Sequence, residues 1–246
     1  MQPIQILTAG TGLPEERAKQ VAEAAAPACV SIRVTGPLNA VLGSGFQISD
    51  GFIVTAKHVI DPFLFQGELI PLTSIKVSPL SDQSKSFGVP LEYVVDNYDL
   101  AFLGYIRELE DLILGKADAL AVGDPVLVLA SPGTIEQPLL PYAGLGQVHS
   151  TSTTTPATFR YTVPIVPGSS GGAILDMDGQ VVGINLIQQS IGGTLYGVGL
   201  KAEAIKAALE GRMYMPSPVV YEPTQILVPV ALGIGAGLLI VALSRR

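Results

Sequence analysis

The stretch Thr162–Leu175, TVPIVPGSSGGAIL, sets two serines among glycines between two apolar runs. Glycine reaches positive φ without a Cβ clash and serine is an ordinary turn residue, so a plain hairpin turn accounts for the composition. The competing reading is chemical. In it, Gly168-Ser169-Ser170-Gly171-Gly172 holds a nucleophilic hydroxyl on a tight loop, with backbone N–H groups aimed at a developing oxyanion. Five residues do not separate a turn from a site; their company along the chain has to.

The bulk composition removes several classes of function. A chain of 246 residues can bury a sizeable core, and such lengths are common for all-β units built from two barrels. The single cysteine, Cys29 in APACVSI, excludes an intramolecular disulfide and a cysteine-based zinc site, and reads as a buried strand residue. A net charge of -7, with no basic run beyond Arg245-Arg246, argues against a nucleic-acid partner. Neither GxGxxG nor GxxxxGK[ST] spacing occurs, so no nucleotide cofactor is expected.

Pro14, at a first helical position and followed by Glu15 and Glu16, opens a helix running to about Ala26, where Pro27 ends it. Six β-rich runs follow between Cys29 and Tyr105: CVSIRVT, AVLGSGFQIS, FIVTA, SIKVSP, VPLEYVV and LAFLGY. A connecting segment leads to a second six: PVLVLA, AGLGQVHS, TFRYTVPI, GGAIL, QVVGINLI and TLYGVGL. KAEAIKAALEG closes the series as a helix, with Gly211 just past its end. The expected architecture is all-β, two six-stranded antiparallel barrels. Its boundaries are an N-terminal segment 1–28, a first barrel 29–107, a second barrel with closing helix 108–211, and a linker 212–225.

Ile226 to Leu243 then runs eighteen residues without a charge, long enough to span a hydrocarbon core, before the basic tail 244–246. A single transmembrane helix is expected there, anchoring the protein to a lipid bilayer. Gly233 and Gly237 give it a GxxxG spacing that suits pairing into a homo-oligomer. The arginine tail favours a cytoplasmic C-terminus, whereas the N-terminus does not read as a secretion signal; the expectation leans to a tail-anchored protein whose catalytic part stays on the side of synthesis.

Two histidines can be weighed one by one. His149, in GQVHSTSTTT, reads as a surface residue, while His58 follows the apolar hairpin GFQISDGFIVTAK. Asp99 opens the apolar strand DLAFLGY, where a carboxylate needs a partner. In chain order the candidates are His58, Asp99 and Ser170, one of the known orders of a catalytic triad.

These blocks resemble the trypsin-like serine proteases of the HtrA/Deg type. The resemblance rests on AKQVAEAAAPACVSIRV, GSGFQISDGFIVTAKHVI, YDLAFL, ADALAVGDPVLVLASPGT, PIVPGSSGGAILDMDGQVVGIN and YGVGL, and it covers roughly Lys19 to Ala207. It implies a chymotrypsin-type fold and a serine endopeptidase acting on protein or peptide substrates, with no metal and no cofactor. Ser170 would attack, His58 would serve as base and then acid, and Asp99 would orient the imidazole. Asp99 directly abuts LAFL, as that pattern requires, and so is preferred to Asp96. Ser170, followed by Gly171-Gly172, is preferred to Ser169. The oxyanion hole would be formed at Gly168 and Ser170, with Ser169 between them.

A specificity pocket is expected from Pro164, six positions before the nucleophile, with Ile184, Asn185, Leu186, Gly197 and Gly199. It carries no acid, so small or medium apolar side chains are the expected fit. The chain departs from the family in the long interval between His58 and Asp99 and in Ser169 where asparagine is usual, and no PDZ module is expected after the protease region. The rival reading is a catalytically inactive fold of this type, kept as a membrane-bound binding or scaffold module.

Overall fold

The computed structural model describes residues 4–10, 12–66, 68–95, 97–133, 141–163 and 165–211. The expected linker, membrane helix and basic tail lie outside them, as do Asp96 and Pro164. Among the described residues no helix is long and apolar enough to cross a membrane. In chain order the strands are β1 (Gln5–Thr8), β2 (Cys29–Thr35), β3 (Ala40–Ile48), β4 (Phe52–Thr55), β5 (Leu64–Phe65), β6 (Glu68–Leu69), β7 (Ser74–Pro79), β8 (Phe87–Gly88), β9 (Leu91–Val95), β10 (Leu100–Gly104), β11 (Pro125–Ala130), β12 (Tyr142–Ser150), β13 (Thr158–Tyr161), β14 (Ala173–Leu175), β15 (Val181–Ile191) and β16 (Thr194–Lys201). The α-helices are α1 (Glu15–Ala25), α2 (Lys57–Ile60) and α3 (Ala202–Leu209).

The second half is a closed antiparallel barrel in the order β12-β11-β14-β15-β16-β13, shut by pairing of β13 back onto β12. β1 joins it as a parallel seventh strand, Gln5 opposite Tyr142. The first half corrects the expectation of two closed barrels. It is a seven-stranded open sheet, β8-β7-β2-β3-β4-β10-β9, whose edges β8 and β9 do not pair among the described residues. The reason is local. β8 is two residues long, and Pro90, which has no N–H to donate, separates it from β9. The long interval after His58 also forms its own small excursion, a 3-10 turn at Asp61–Phe63 and the separate pair β5–β6, instead of another barrel strand.

Burial on both faces explains why β11 reads as an unbroken apolar run. Val126, Val128 and Ala130 point into the closed barrel with Phe159, Tyr161, Ile174 and Val182. Leu127 and Leu129 belong instead to the larger core, which also contains the first sheet and the buried face of α1, Ala18, Val21, Ala22 and Ala25. The connector between the halves is held by the fully buried Gln47. Its Oε1 accepts the Ile106 N–H at 2.8 Å, and its Nε2 donates to Ile106 O and Asp111 Oδ1, each at 3.0 Å. The active groups described next therefore sit on two bodies joined by one continuous core.

Candidate active site

His58 lies on the single turn α2, where the chain leaves β4 at Ala56. β10 runs antiparallel to β4, Ala101 opposite Thr55, so the residue just before β10 comes level with that turn. That residue is Asp99. Its Oδ1 accepts the His58 backbone N–H at 2.8 Å, and its Oδ2 stands 2.6 Å from His58 Nδ1. Two contacts fix both the position and the rotation of the imidazole. With a carboxylate at Nδ1 the ring proton sits there, leaving Nε2 as the acceptor. Both side chains are about one-third exposed, 35% and 30%, so the pair opens to solvent and to a substrate. His149 lies elsewhere, on the exposed part of β12, stacked on Tyr196 at 4.1 Å between ring centroids.

The serine loop spans β13 to β14, and a contact fixes the carbonyl of each successive peptide. Gly133 N–H donates to Pro167 O at 3.3 Å, and Ser44 Oγ donates to Gly168 O at 2.8 Å. Asn185 Nδ2 donates to Ser169 O at 2.7 Å, and the Ser44 N–H donates to Ser170 O at 2.7 Å. In a planar trans peptide the N–H points away from the carbonyl. The loop N–H groups are therefore aimed as well. Ser169 N–H is used within the loop, donating to Val166 O at 3.1 Å. Those of Gly168 and Ser170 have no partner among the described residues. Of the three residues expected at the oxyanion hole, Gly168 and Ser170 thus have N–H groups without a partner among the described residues, and Ser169 does not.

Gly168 and Gly171 both take φ of +86°, which a side chain rarely adopts. At Gly171 a Cβ would also lie 2.1 Å from Ser44 O, 2.4 Å from Thr55 Oγ1 and 3.0 Å from Ala56 N. The loop thus lies directly against the backbone that leads into His58. Gly43 makes the same junction from the other side, since its Cβ position would meet both Val59 methyls at 2.7 Å and Ser170 O at 3.3 Å.

The Ser170 hydroxyl donates to Leu186 O at 3.1 Å, and no hydrogen bond joins it to His58. Leu186 is the bulged residue of β15: the register with β16 shifts between Asn185 and Ile187. Its carbonyl is thereby released from the ladder to face the serine. A serine hydroxyl can change direction by rotation about χ1 between staggered wells, and catalytic hydrogen bonds are often made only when substrate is bound.

The expected pocket residues are dispersed. Leu186 stands at the serine, whereas Ile184 is fully buried in the core. A Cβ at Gly199 would lie 2.4 Å from Ile174 Cδ1, and one at Gly197 would lie 2.3 Å from the Tyr161 ring, which covers that glycine from the opposite strand. Asn185 has its side chain behind the loop, not in an open cavity. Sequence reading did not single out Ser44 and Tyr161. For Ser44 a signal exists in Gly43-Ser44-Gly45, a polar residue between two glycines in a largely apolar strand. Among the described residues no group of three or more His, Cys, Asp or Glu side chains could hold a metal.

Comparison with known proteins places this geometry. A model of the trypsin-like peptidase domain matches residues 43–184. The chain is 28% identical over 179 residues to a probable periplasmic serine endoprotease DegP-like of Chlamydia pneumoniae, covering 68% of this chain and 33% of that protein. It is 34% identical over 148 residues to the protein of the same description from Pseudomonas fulva, covering 58% of this chain and 28% of the other. With the serine protease PepD of Mycobacterium tuberculosis the identity is 28% over 190 residues, covering 73% and 41%. The chain spans about a third of the length of these curated relatives.

Proposed function

The chain belongs to the trypsin-like peptidase domain family and is of the HtrA/Deg type; from that premise we propose that it is a serine endopeptidase acting on protein substrates through an acyl-enzyme. The observation that carries this reading is the His58–Asp99 pair, bonded at two points, together with the Gly168 and Ser170 N–H groups, which have no partner among the described residues. In the proposed sequence Ser170 Oγ turns from Leu186 O toward His58, gives up its proton to Nε2 and attacks the scissile carbonyl. The carbonyl oxygen becomes an oxyanion held by the two free N–H groups, each of which supplies on the order of 10²–10³ in rate. His58 passes the proton to the leaving amine, and water then releases the acyl group by the same route in reverse. Asp99 stays ionised throughout and stabilises the imidazolium.

We place the protein at a membrane through Ile226 to Leu243, on the strength of that uncharged run. The Chlamydia and Pseudomonas relatives are described as probable periplasmic endoproteases. Arg245-Arg246 on the cytoplasmic side would agree with them, putting the protease body across the membrane in the envelope. That orientation replaces the one suggested by the N-terminus.

The test is labelling by a fluorophosphonate probe, in which fluoride leaves as Ser170 Oγ bonds to phosphorus, run beside peptide hydrolysis. Ser170→Ala and His58→Ala should lose turnover by up to about a millionfold. Asp99→Asn should lose about ten-thousandfold, by favouring the wrong histidine tautomer. Full activity in purified Ser170→Ala protein would overturn the assignment, as would absence of labelling and turnover in the unaltered chain, which is the outcome expected of an inactive scaffold.

A further inference from the structure

We propose that Asn185, held in place by Tyr161, is a positioning residue for catalysis: its carboxamide fixes the plane of the Ser169–Ser170 peptide and so aims the Ser170 N–H at the oxyanion. The inference rests on the reading of Ser170 as nucleophile.

The geometry is specific to one peptide. Ser169 O and the Ser170 N–H belong to the same planar unit and point in opposite directions. Asn185 Nδ2 donates to Ser169 O at 2.7 Å, helped by Gly172 N–H at 3.0 Å. The N–H on the far side of that plane is one of the two free donors. The second Asn185 amide hydrogen reaches Ser169 Oγ at 3.0 Å, and that hydroxyl donates onward to Val166 O at 2.7 Å. On the other side Asn185 Oδ1 accepts from Tyr161 Oη at 2.5 Å. Ser169 O can only accept, so the amide has one sensible orientation, with nitrogen toward the loop and oxygen toward the phenol.

Asn185 also brackets the loop with its main chain. Its N–H donates to Gly172 O and its carbonyl accepts the Gly171 N–H, both at 2.8 Å. Asn185, Tyr161 and Ser169 are all fully buried, where an unpaired polar group is costly, and each has its partners. The barrel interior thus reaches the nucleophile through a chain of three side chains, Tyr161 to Asn185 to Ser169. Burial pushes the Tyr161 hydroxyl well above the usual tyrosine range, so it remains a donor at any working pH. The other neighbouring peptide, Gly168–Ser169, is held from the first sheet by Ser44, so the loop is gripped from both bodies and Asn185 supplies the grip from the barrel.

Two substitutions separate aim from fold. Asn185→Asp keeps the size and the acceptor toward Tyr161 but replaces the donor to Ser169 O with a second acceptor. Tyr161→Phe keeps the ring over Gly197 and removes the hydroxyl that orients Asn185. Each is compared with the unaltered full chain and with Ser170→Ala for kcat, KM, thermal midpoint, and inhibition by a peptide aldehyde, whose adduct carries the oxyanion, against the same peptide as its amide.

Asn185→Asp is expected to lower kcat roughly 10- to 100-fold, less than the loss of an oxyanion donor itself, and to weaken the aldehyde by the same factor while KM and amide binding hold. Tyr161→Phe should shift the same two quantities in the same direction by roughly 3- to 10-fold. The inference is overturned if kcat and aldehyde affinity stay at the unaltered value in Tyr161→Phe, or if aldehyde and amide weaken equally in either variant. Should Asn185→Asp fail to fold, Tyr161→Phe decides alone. The outcomes also tell the two readings apart: an active chain that Ser170→Ala silences but these variants do not retains the protease assignment and loses this one, whereas a chain indifferent to Ser170→Ala loses both.

Discussion

Gly171→Ala offers a calibrated test of how the two bodies meet, because Gly51 supplies its control. Both glycines sit at nearly the same left-handed φ, +86° and +89°. A Cβ at Gly51 meets nothing within 4 Å, whereas one at Gly171 would stand 2.1 Å from Ser44 O and 2.4 Å from Thr55 Oγ1. The backbone term is common to both and costs about 1–2 kcal/mol for an L-residue. Only Gly171 adds the steric term, about 1–3 kcal/mol for overpacking a tight site. The sum at Gly171 is about 2–5 kcal/mol, and in a protein of this size each kcal/mol lowers Tm by ~2–4 °C.

The obstructing atoms are backbone and a buried threonine, so they cannot swing aside. Relief requires the serine loop to retreat from the Ala56 turn that carries His58. Thermal unfolding of both variants with kcat/KM on a peptide substrate is the assay. Gly51→Ala should lose a few degrees and keep its turnover; Gly171→Ala should lose more stability and most of its turnover, with Ser170 still present. Equal stability loss in the two variants together with unchanged kcat/KM in Gly171→Ala would refute the argument that this contact registers Ser170 against His58.

Cleavage profiling on a peptide library should show cutting after small or medium apolar residues, since neither Pro164 nor the segment 181–200 carries an acidic residue to pair with a buried lysine or arginine; dominant cutting after Lys or Arg would contradict this. Cys29 is fully buried and burial pushes its thiol up, so a thiol reagent should leave the native protein unmodified and react fully in denaturant; rapid native reaction would show that β2 does not sit in the core. Alkaline carbonate extraction of membranes should leave the full-length chain in the pellet, and a version truncated before Ile226 in the supernatant; release of both removes the anchor.

Local chemistry determined much of this protein. Period-two and continuous apolar runs marked the strands, because a strand buried on one face alternates and one buried on both, such as β11, does not. Pro14 and Pro27 bounded α1 through the geometry of proline itself. The ordered blocks around His58, Asp99 and Ser170 carried the family resemblance because catalysis restricts residue type at those few places. What only the tertiary structure decided are the relations between segments far apart in the chain. Closure of one sheet and not the other depends on whether two edge strands meet, and a two-residue β8 beside Pro90 is too little for sequence periodicity to register. Asn185 reads as a pocket wall from its neighbours in sequence, yet its side chain is turned to Ser169 and Tyr161, partners that only the folded barrel brings within reach. Ser44 and Tyr161 are ordinary strand residues until folding joins Ser44 to Gly168, 124 positions away, and Tyr161 to Asn185, 24 positions away. Hydrogen-bond partners are set by three-dimensional proximity and peptide orientation, and neither is encoded in any one local stretch.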